Sequence, residues 1–364
     1  MDTTTNDAGG PDTSGTLDEA LERLHASGPE REGWLSNHAP MAVEALVRHG
    51  QAAAVHRWLD GYSDKLEDMP RPDSPLTDED WRTALGDPGR LADWTHYFTR
   101  QMTERPWRDV LALWWPRLLP GISGAATHPV IRTGHAVRAL LVDGGETEAR
   151  RAELAHALGY WAARHSTLPD DLEPLPGAAS ATDGYESVPL IAEQSGGIRE
   201  RLGRITALPR RPRTTAAGTQ NGSGTHGPEQ ARADLAEIVR VATHRYATHA
   251  HGEPVMLVHA ATAPNAVLRV LPALPRELWA ASADAAWAAS AAVTAVYAPR
   301  QARPVASGGG LAPQEIFARA AAHGDEHAIK FADTALDVAA RQGGEDPQAV
   351  AAALRATELI QPGT

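Results

Sequence analysis

DEHAIKFAD, residues 325–333, lies within a run of strong helix formers that extends from Leu311 to Gln342. This run predicts one or two helices, with Gly324 as the point of division. Residues three apart share a helix face, so His327 and Lys330 are expected to point the same way, beside acidic neighbours. A charged stripe of this kind usually faces solvent. Whether it does so here depends on the other motifs of the chain.

Apolar residues recur at helical spacing along most of the chain, without a convincing alternating strand. The predicted helices cover residues 16–24, 40–50, 51–66, 91–98, 107–119, 129–143, 150–165, 230–249, 254–274, 276–298, 311–342 and 347–360. We therefore predict an all-α fold, a single large multi-helix domain over residues 16–364. Residues 1–15 are predicted to be a disordered tail, and the basic, low-complexity residues 209–229 a flexible insertion within the domain.

Composition narrows the class of protein. The chain has 364 residues, of which 42% are apolar and 22% charged, and a net charge of −12, which argues against nucleic acid or an anionic membrane as partner. With no cysteine, disulfides, thiolate nucleophiles and iron–sulfur clusters are excluded. The absence of a signal peptide and of a long apolar run predicts a soluble cytoplasmic protein, for which a homodimer is an open alternative.

The motifs of several cofactor and enzyme classes are missing. No G-x-G-x-x-G follows a strand, no Walker loop is present, and no G-x-S-x-G elbow occurs. The glycine run at residues 308–310 is typical of a flexible connector. We therefore expect no residues that bind a dinucleotide cofactor.

Four of the sixteen histidines stand in apolar or helix-capping surroundings, where a polar ring needs a partner. They are His38 in NHAPM, His128 in HPVI, His259 in VHAAT and His327 in DEHAIK. Individually, each is better explained as a core histidine. Four together in an all-α, cysteine-free chain favour a metal site, because imidazole suits iron, copper, nickel or zinc and helix bundles place ligands on facing helices.

At these four motifs the chain resembles the questin oxidase-like family, known from polyketide pathways, and the resemblance extends from about residue 30 to about residue 335. Characterised members open anthraquinone-type rings oxidatively. The resemblance implies that His38, His128, His259 and His327 bind the metal. It leaves open whether Lys330 carries a carbamate and joins them or pairs with Asp325, Glu326 or Asp333.

One departure concerns the pocket. Fungal relatives have a histidine four residues after His128, where this chain has Arg132, and His135 follows one turn later. We interpret Arg132 and His135 as candidate catalytic residues, with Arg132 suited to binding an anionic phenolate or carboxylate.

The function predicted from these observations is a non-haem, Fe(II)-dependent oxygenase that uses O2 on an aromatic polyketide-like small molecule, in a pocket lined by Trp and Met. A flavin or NADPH-dependent Baeyer–Villiger-type oxidase is disfavoured by the missing dinucleotide fingerprint. A metal-dependent hydrolase or isomerase, and a helical binding protein with structural histidines, are the remaining alternatives.

Overall fold

The computed structural model describes residues 15–213, 227–304 and 310–363. Helix accounts for 66% and strand for 4% of the structure, which confirms the all-α prediction. Residues 1–14 and 214–226, which hold most of the predicted tail and insertion, lie outside the described residues, as does most of the 308–310 glycine run. At the edges of the insertion, Arg211 is buried and ion-paired with Asp234, and the next helix begins at Pro228.

Seventeen helices follow one another along the described part of the chain. The first eight are α1 Thr16–His25, α2 Ala39–Arg48, α3 Val55–Tyr62, α4 Trp81–Ala84, α5 Leu91–Glu104, α6 Trp107–Leu118, α7 His128–Leu141 and α8 Glu148–Ala163. The others are α9 Ala181–Glu186, α10 Ile198–Leu202, α11 Pro228–His249, α12 Pro254–Leu257, α13 His259–Val270, α14 Trp279–Tyr297, α15 Pro313–His323, α16 Glu326–Arg341 and α17 Pro347–Leu359.

Strands within the described residues are short and stand at the margins. β1 Glu30–Arg31 pairs antiparallel with β2 Leu35–Ser36, and β3 Glu173–Leu175 pairs parallel with β4 Ala207–Pro209. These strands make up too little of the structure to change the all-α class. Runs of two and three residues are too short to show a period-two pattern in sequence.

Two predicted helices are divided in the structure. Gly324 takes the left-handed conformation (φ 82°) that ends α15, and α16 starts two residues later, as the helix-former run predicted. The predicted helix over 254–274 is interrupted at Val258, so that α13 begins at His259. Both breaks place a histidine in the first turn of a new helix.

The core of the bundle forms around α7, which packs against α2, α8 and α13, while α16 packs against α2 and α13. The approach of α7 to α13 depends on Gly134, because a Cβ at that position would stand 2.6 Å from the Cβ of Ala266. The four helices that carry the histidine motifs thus form a closed ring of neighbours, in the order α2, α7, α13 and α16.

One segment, Pro254–Ala273, is long and apolar enough to cross a membrane by length and composition. Its window is 83% buried within the fold, as expected for a core helix of a globular domain, so its apolar character is weak evidence for a membrane span.

Candidate metal centre

The four predicted histidines all stand at the N-terminal ends of helices. His38 immediately precedes α2, His128 and His259 are the first residues of α7 and α13, and His327 is the second residue of α16. All four are buried, with His259 fully enclosed. The bundle therefore brings together four helix starts that are separated by as many as 289 positions in the chain.

The rings form one group around His128. Its Nε2 lies 2.8 Å from the Nε2 of His38 and 2.9 Å from the Nε2 of His259. The ring centroid of His327 stands 4.5 Å from that of His38 and 5.9 Å from that of His259. Ligand atoms of His38, His128 and His327 all lie within 4.8 Å of one another. Adjacent nitrogen ligands around one ion at bonds of 2.0–2.1 Å stand about 3 Å apart in octahedral geometry, so this spacing suits a shared metal.

Hydrogen bonds at the opposite ring nitrogens orient two of the imidazoles. His128 Nδ1 donates to the carbonyl of Ala125 at 2.6 Å, and His259 Nδ1 donates to the carbonyl of Met256 at 3.0 Å. These acceptors assign the proton to Nδ1 and leave the Nε2 lone pair directed at the centre. For His38, Nδ1 has no hydrogen-bond partner among the described residues, and the Glu326 carboxylate lies 3.7 Å from it.

The turn before His128 is strained. Ala125, Ala126 and Thr127 have φ values of 43°, 55° and 68°, three successive left-handed residues without a glycine among them. Each costs about 1–2 kcal/mol relative to a right-handed conformation. This turn directs the Ala125 carbonyl at His128 Nδ1, so the local strain is associated with the orientation of a candidate ligand.

Burial and neighbouring charges keep three of the rings, those of His38, His128 and His259, neutral. Burial first, and then the charge of Lys330, hold the pKa of His38 and of His259 well below the usual range. For His128, burial and then neighbouring His259 lower the pKa in the same direction. A neutral imidazole has the free lone pair that a metal requires, so the rings are in their ligating form at neutral pH.

Lys330 stands one helical turn after His327 and is fully buried. Its Nζ has no hydrogen-bond partner among the described residues. Burial lowers the pKa of Lys330 to about 7, although the carboxylates of Glu326 and Asp325 act to raise it. The predicted alternative of pairing with an acid is thus represented only by charge interactions at longer range, without a direct hydrogen bond.

Arg132 and His135 point to other partners. Arg132 donates to both carboxylate oxygens of Glu153 at 2.6 and 2.8 Å, in a buried ion pair with α8. His135 Nδ1 donates to Glu44 at 2.7 Å, and its Nε2 lies 3.2 Å from the Arg269 guanidinium. The structure therefore brings together the four histidines and Lys330, while these two candidates belong to separate ionic groups.

Local sequence patterns did not indicate several of the buried residues around the site. Glu326 was expected to be a neighbour of His327, but its approach to His38 was not predicted. The hydroxyl of Tyr62, which accepts a hydrogen bond from the His38 backbone N–H at 3.2 Å, was also missed. Tyr62 lies on a helix with ordinary amphipathic spacing, so no local pattern could have singled it out.

Comparison with known protein families matches residues 35–335 to the family described as questin oxidase-like. That range includes all four histidines and Lys330. The chain belongs to the questin oxidase-like family, which makes it an oxidoreductase of the type that acts on polyketide-like molecules. A search of curated proteins found no match to the chain.

His135, a buried histidine outside the metal group, makes the free energy of unfolding depend on pH. Burial lowers the pKa of His135 to about 4, whereas an unfolded histidine titrates near 6.5. The folded state therefore binds fewer protons, and stability is complete above pH 6.5 and is lost as the pH falls towards 4. Between pH 7 and pH 5, we expect the free energy of unfolding to fall by about 2 kcal/mol less in His135→Asn than in the parent.

Urea unfolding of the metal-free protein at several pH values measures this difference. His96→Asn, at an exposed histidine, is the control and should follow the parent. Identical pH slopes for the parent and His135→Asn would contradict the assignment of a lowered pKa to His135.

Proposed function

We propose that the chain is a non-haem, Fe(II)-dependent oxygenase that uses O2 to oxidise or cleave an aromatic polyketide-like molecule. The observation that supports it is the convergence of His38, His128 and His259 through their Nε2 atoms, with His327 beside them. A family of oxidoreductases needs an electron-transferring group, and the chain lacks both cysteine and a dinucleotide fingerprint. Buried neutral imidazoles on facing helices suit a redox-active transition metal.

His38, His128, His259 and His327 would hold the ion, and iron would supply the electrons that make O2 reactive towards an organic ring. The protein groups around it have defined tasks. Ala125 and Met256 hold two imidazole tautomers through their carbonyls, and Glu326 contributes negative charge beside His38. Burial of the whole group excludes bulk water from the reacting centre.

The role proposed for Lys330 is that of an anionic ligand formed by carbamylation. Its neutral amine nitrogen would attack CO2, form one N–C bond and release one proton, which leaves a carboxylate-like group on Nζ. The amine is enclosed and has no hydrogen-bond partner among the described residues, so an ammonium at this position would be poorly stabilised. A carbamate would add the negative charge that four neutral imidazoles cannot supply to a divalent cation.

Amino-acid usage supports a chemical role for this lysine. Only two of the 34 basic residues are lysines, Lys65 and Lys330. Arginine is always protonated and cannot form a carbamate under physiological conditions, whereas a buried lysine loses its proton readily. A lysine at the most enclosed basic position, in a chain that otherwise uses arginine, is expected if the neutral amine is needed.

Substrate approach is proposed along a groove of about 300 Å³ lined by α2, α3 and α15, which we name the Trp58 groove. The rings of Trp58 and Tyr62 stack there with centroids 4.9 Å apart, and Lys65 Nζ lies 5.2 Å from the Tyr62 ring. Trp58 Nε1 donates to the carbonyl of Gly324, directly before the His327 segment. The groove thus offers an aromatic surface and a cation, which suit a planar aromatic anion.

Loss of one ligand should remove the metal. Purified parent, reconstituted anaerobically with Fe(II), is expected to retain about one equivalent of iron, and His327→Ala less than about a tenth. His249→Ala is the matched control, because His249 is half-buried on α11 and bonds locally to Thr248. Elemental analysis measures the content. Equal iron in both variants would refute the ligand assignment, and stoichiometric zinc without O2 uptake would favour the hydrolase or isomerase alternative.

The carbamate has a direct spectroscopic test. With 13C-bicarbonate, the parent is expected to show a carbamate carbon resonance and a mass increase equal to one CO2, and both should persist in Lys65→Arg but vanish in Lys330→Arg. Because the chain has only two lysines, this pair of variants distinguishes the two side chains, and a signal that survives both substitutions belongs to the N-terminal amine. A resonance that disappears in Lys65→Arg instead, or is absent from the parent at pH 8, would contradict the proposal.

Binding in the Trp58 groove is measurable without turnover. Hydroxyanthraquinones are expected to quench tryptophan fluorescence, and Lys65→Gln should weaken their binding about threefold to tenfold, by roughly 1 kcal/mol of lost attraction. Arg82→Gln is the matched control, because Arg82 stacks on Trp81 at 4.4 Å outside this groove. Unchanged affinity in Lys65→Gln, or equal losses in both variants, would place the ligand elsewhere.

A further inference from the structure

A second buried polar group lies further along the same four helices. A charged residue stands ten positions after each of the four histidines, namely Arg48, Arg138, Arg269 and Asp337. At 1.5 Å of rise per residue, these positions are about 15 Å further along each helix. We name the lower layer the group formed by Glu44, Arg48, His135, Arg138, Arg269, Asp333 and Asp337.

Asp333 links α16 to the other three helices of the lower layer. It is fully buried on α16, six residues after His327. Its carboxylate accepts hydrogen bonds from Arg48 of α2 at 3.0 Å, Arg138 of α7 at 2.9 Å and Arg269 of α13 at 2.6 Å. One side chain thus joins the helix of His327 to the helices of the other three histidines.

The remaining bonds of the lower layer join the same helices in pairs. Asp337 accepts from Arg269 at 2.8 Å and forms an ion pair with Arg48 at 3.0 Å. Glu44 of α2 accepts from both Arg138 and His135 of α7. Each of the four helices is therefore bonded to at least two others through charged groups.

These groups remain charged in the fold. Burial opposes ionisation of Asp333, Asp337 and Glu44, but neighbouring arginines outweigh it and hold the pKa of each carboxyl below its usual value. Charge-assisted hydrogen bonds are short and directional, unlike apolar contacts. They can therefore restrict the rotation and the axial position of a helix more narrowly than methyl packing does.

The lower layer is not a second metal site. Glu44, His135 and Asp333 offer ligand atoms within 4.8 Å of one another, which is the spacing of a cation site. However, Arg138 bonds to both carboxylates, and Arg269 lies beside His135 and Asp333. The guanidinium groups already supply the positive charge that an ion would bring.

We propose that Asp333 is a positioning residue, which aligns the four helix starts so that the four histidine rings come together in one group. A metal site tolerates errors of only about 0.5 Å in ligand position, while the ligand-bearing turns here are separated by loops of very different length. A shared anchor two turns below the histidines reduces the relative motion of all four. The consequence for metal affinity rests on the proposed function, whereas the alignment does not.

The test compares Asp333→Asn with Asp234→Asn. Asp234 is a matched control, because it is equally buried and pairs with Arg211 at 2.5 Å. It lies on α11, which carries none of the four histidines. In the metal-free protein, hydrogen exchange followed by mass spectrometry is expected to be at least about tenfold faster in Asp333→Asn over the first two turns of α2, α7, α13 and α16. Asp234→Asn should leave these four segments at the parental rate.

Cobalt binding provides the second measurement. The dissociation constant for Co(II) is expected to rise about 10-fold to 100-fold in Asp333→Asn, with a changed ligand-field spectrum, and to stay within about twofold in Asp234→Asn. If Asp333→Asn does not fold, Arg138→Lys compared with Arg211→Lys tests the same bonds, since lysine keeps the charge and loses the fork.

Outcomes for the two proposals are separable. Parental exchange at all four helix starts in Asp333→Asn, or equal acceleration in Asp234→Asn, would overturn the positioning role. Selective acceleration in a protein whose parent binds neither Co(II) nor Fe(II) would support the positioning role and refute the proposed metal-dependent function.

Discussion

Burial of four imidazoles at the N-termini of four helices is the constraint on which the rest of the structure depends. The positive end of a helix dipole disfavours a protonated histidine, and desolvation acts in the same direction. The three rings centred on His128 are thereby kept as lone-pair donors. The same positive helix ends also disfavour a cation, so the site needs nearby negative charge. Asp325 and Glu326, in and before the first turn of α16, provide part of it.

The histidines and the lower layer lie at two levels of one bundle and differ in how strongly their side chains hold the helices together. At the level of the histidines, the Nε2 atoms of His128 and His259 face each other without a hydrogen between them, which gives this level little cohesion. Below them, arginines and carboxylates are fully paired, and breaking one such buried pair costs about 3–5 kcal/mol. The ion pairs of the lower layer therefore hold the four helices together about two turns below the histidines. This explains why a bundle with ample apolar packing also contains so many buried charges.

Local patterns predicted the helices and the candidate ligands, but not the partners. Gly324 marked the end of α15, because a glycine stop acts within a few residues of its own position. The four histidines were recognisable because each interrupts an apolar or capping context. By contrast, Arg48 and Asp333 are 285 positions apart, and their contact has no local signature. Similarly, Arg132 and His135 were predicted correctly to lie on one helix, yet their partners belong to α8, α2 and α13.

Lysine and arginine are distributed between the same two levels, because Lys330 lies with the histidines and the arginines lie in the lower layer. The lower layer requires groups that stay protonated in a buried environment and can bond to two carboxylates at once, which is the property of a guanidinium. The histidine level requires a basic group that can give up its proton, and burial brings the pKa of Lys330 to about 7. Exchanging the two residue types would weaken both levels, since a lysine in the lower layer would keep its charge beside Asp333 but lose the two-pronged bonds of the guanidinium. A permanent cation beside the imidazoles would repel any metal. The placement of one lysine among so many arginines is therefore a consequence of the charge that each level must carry.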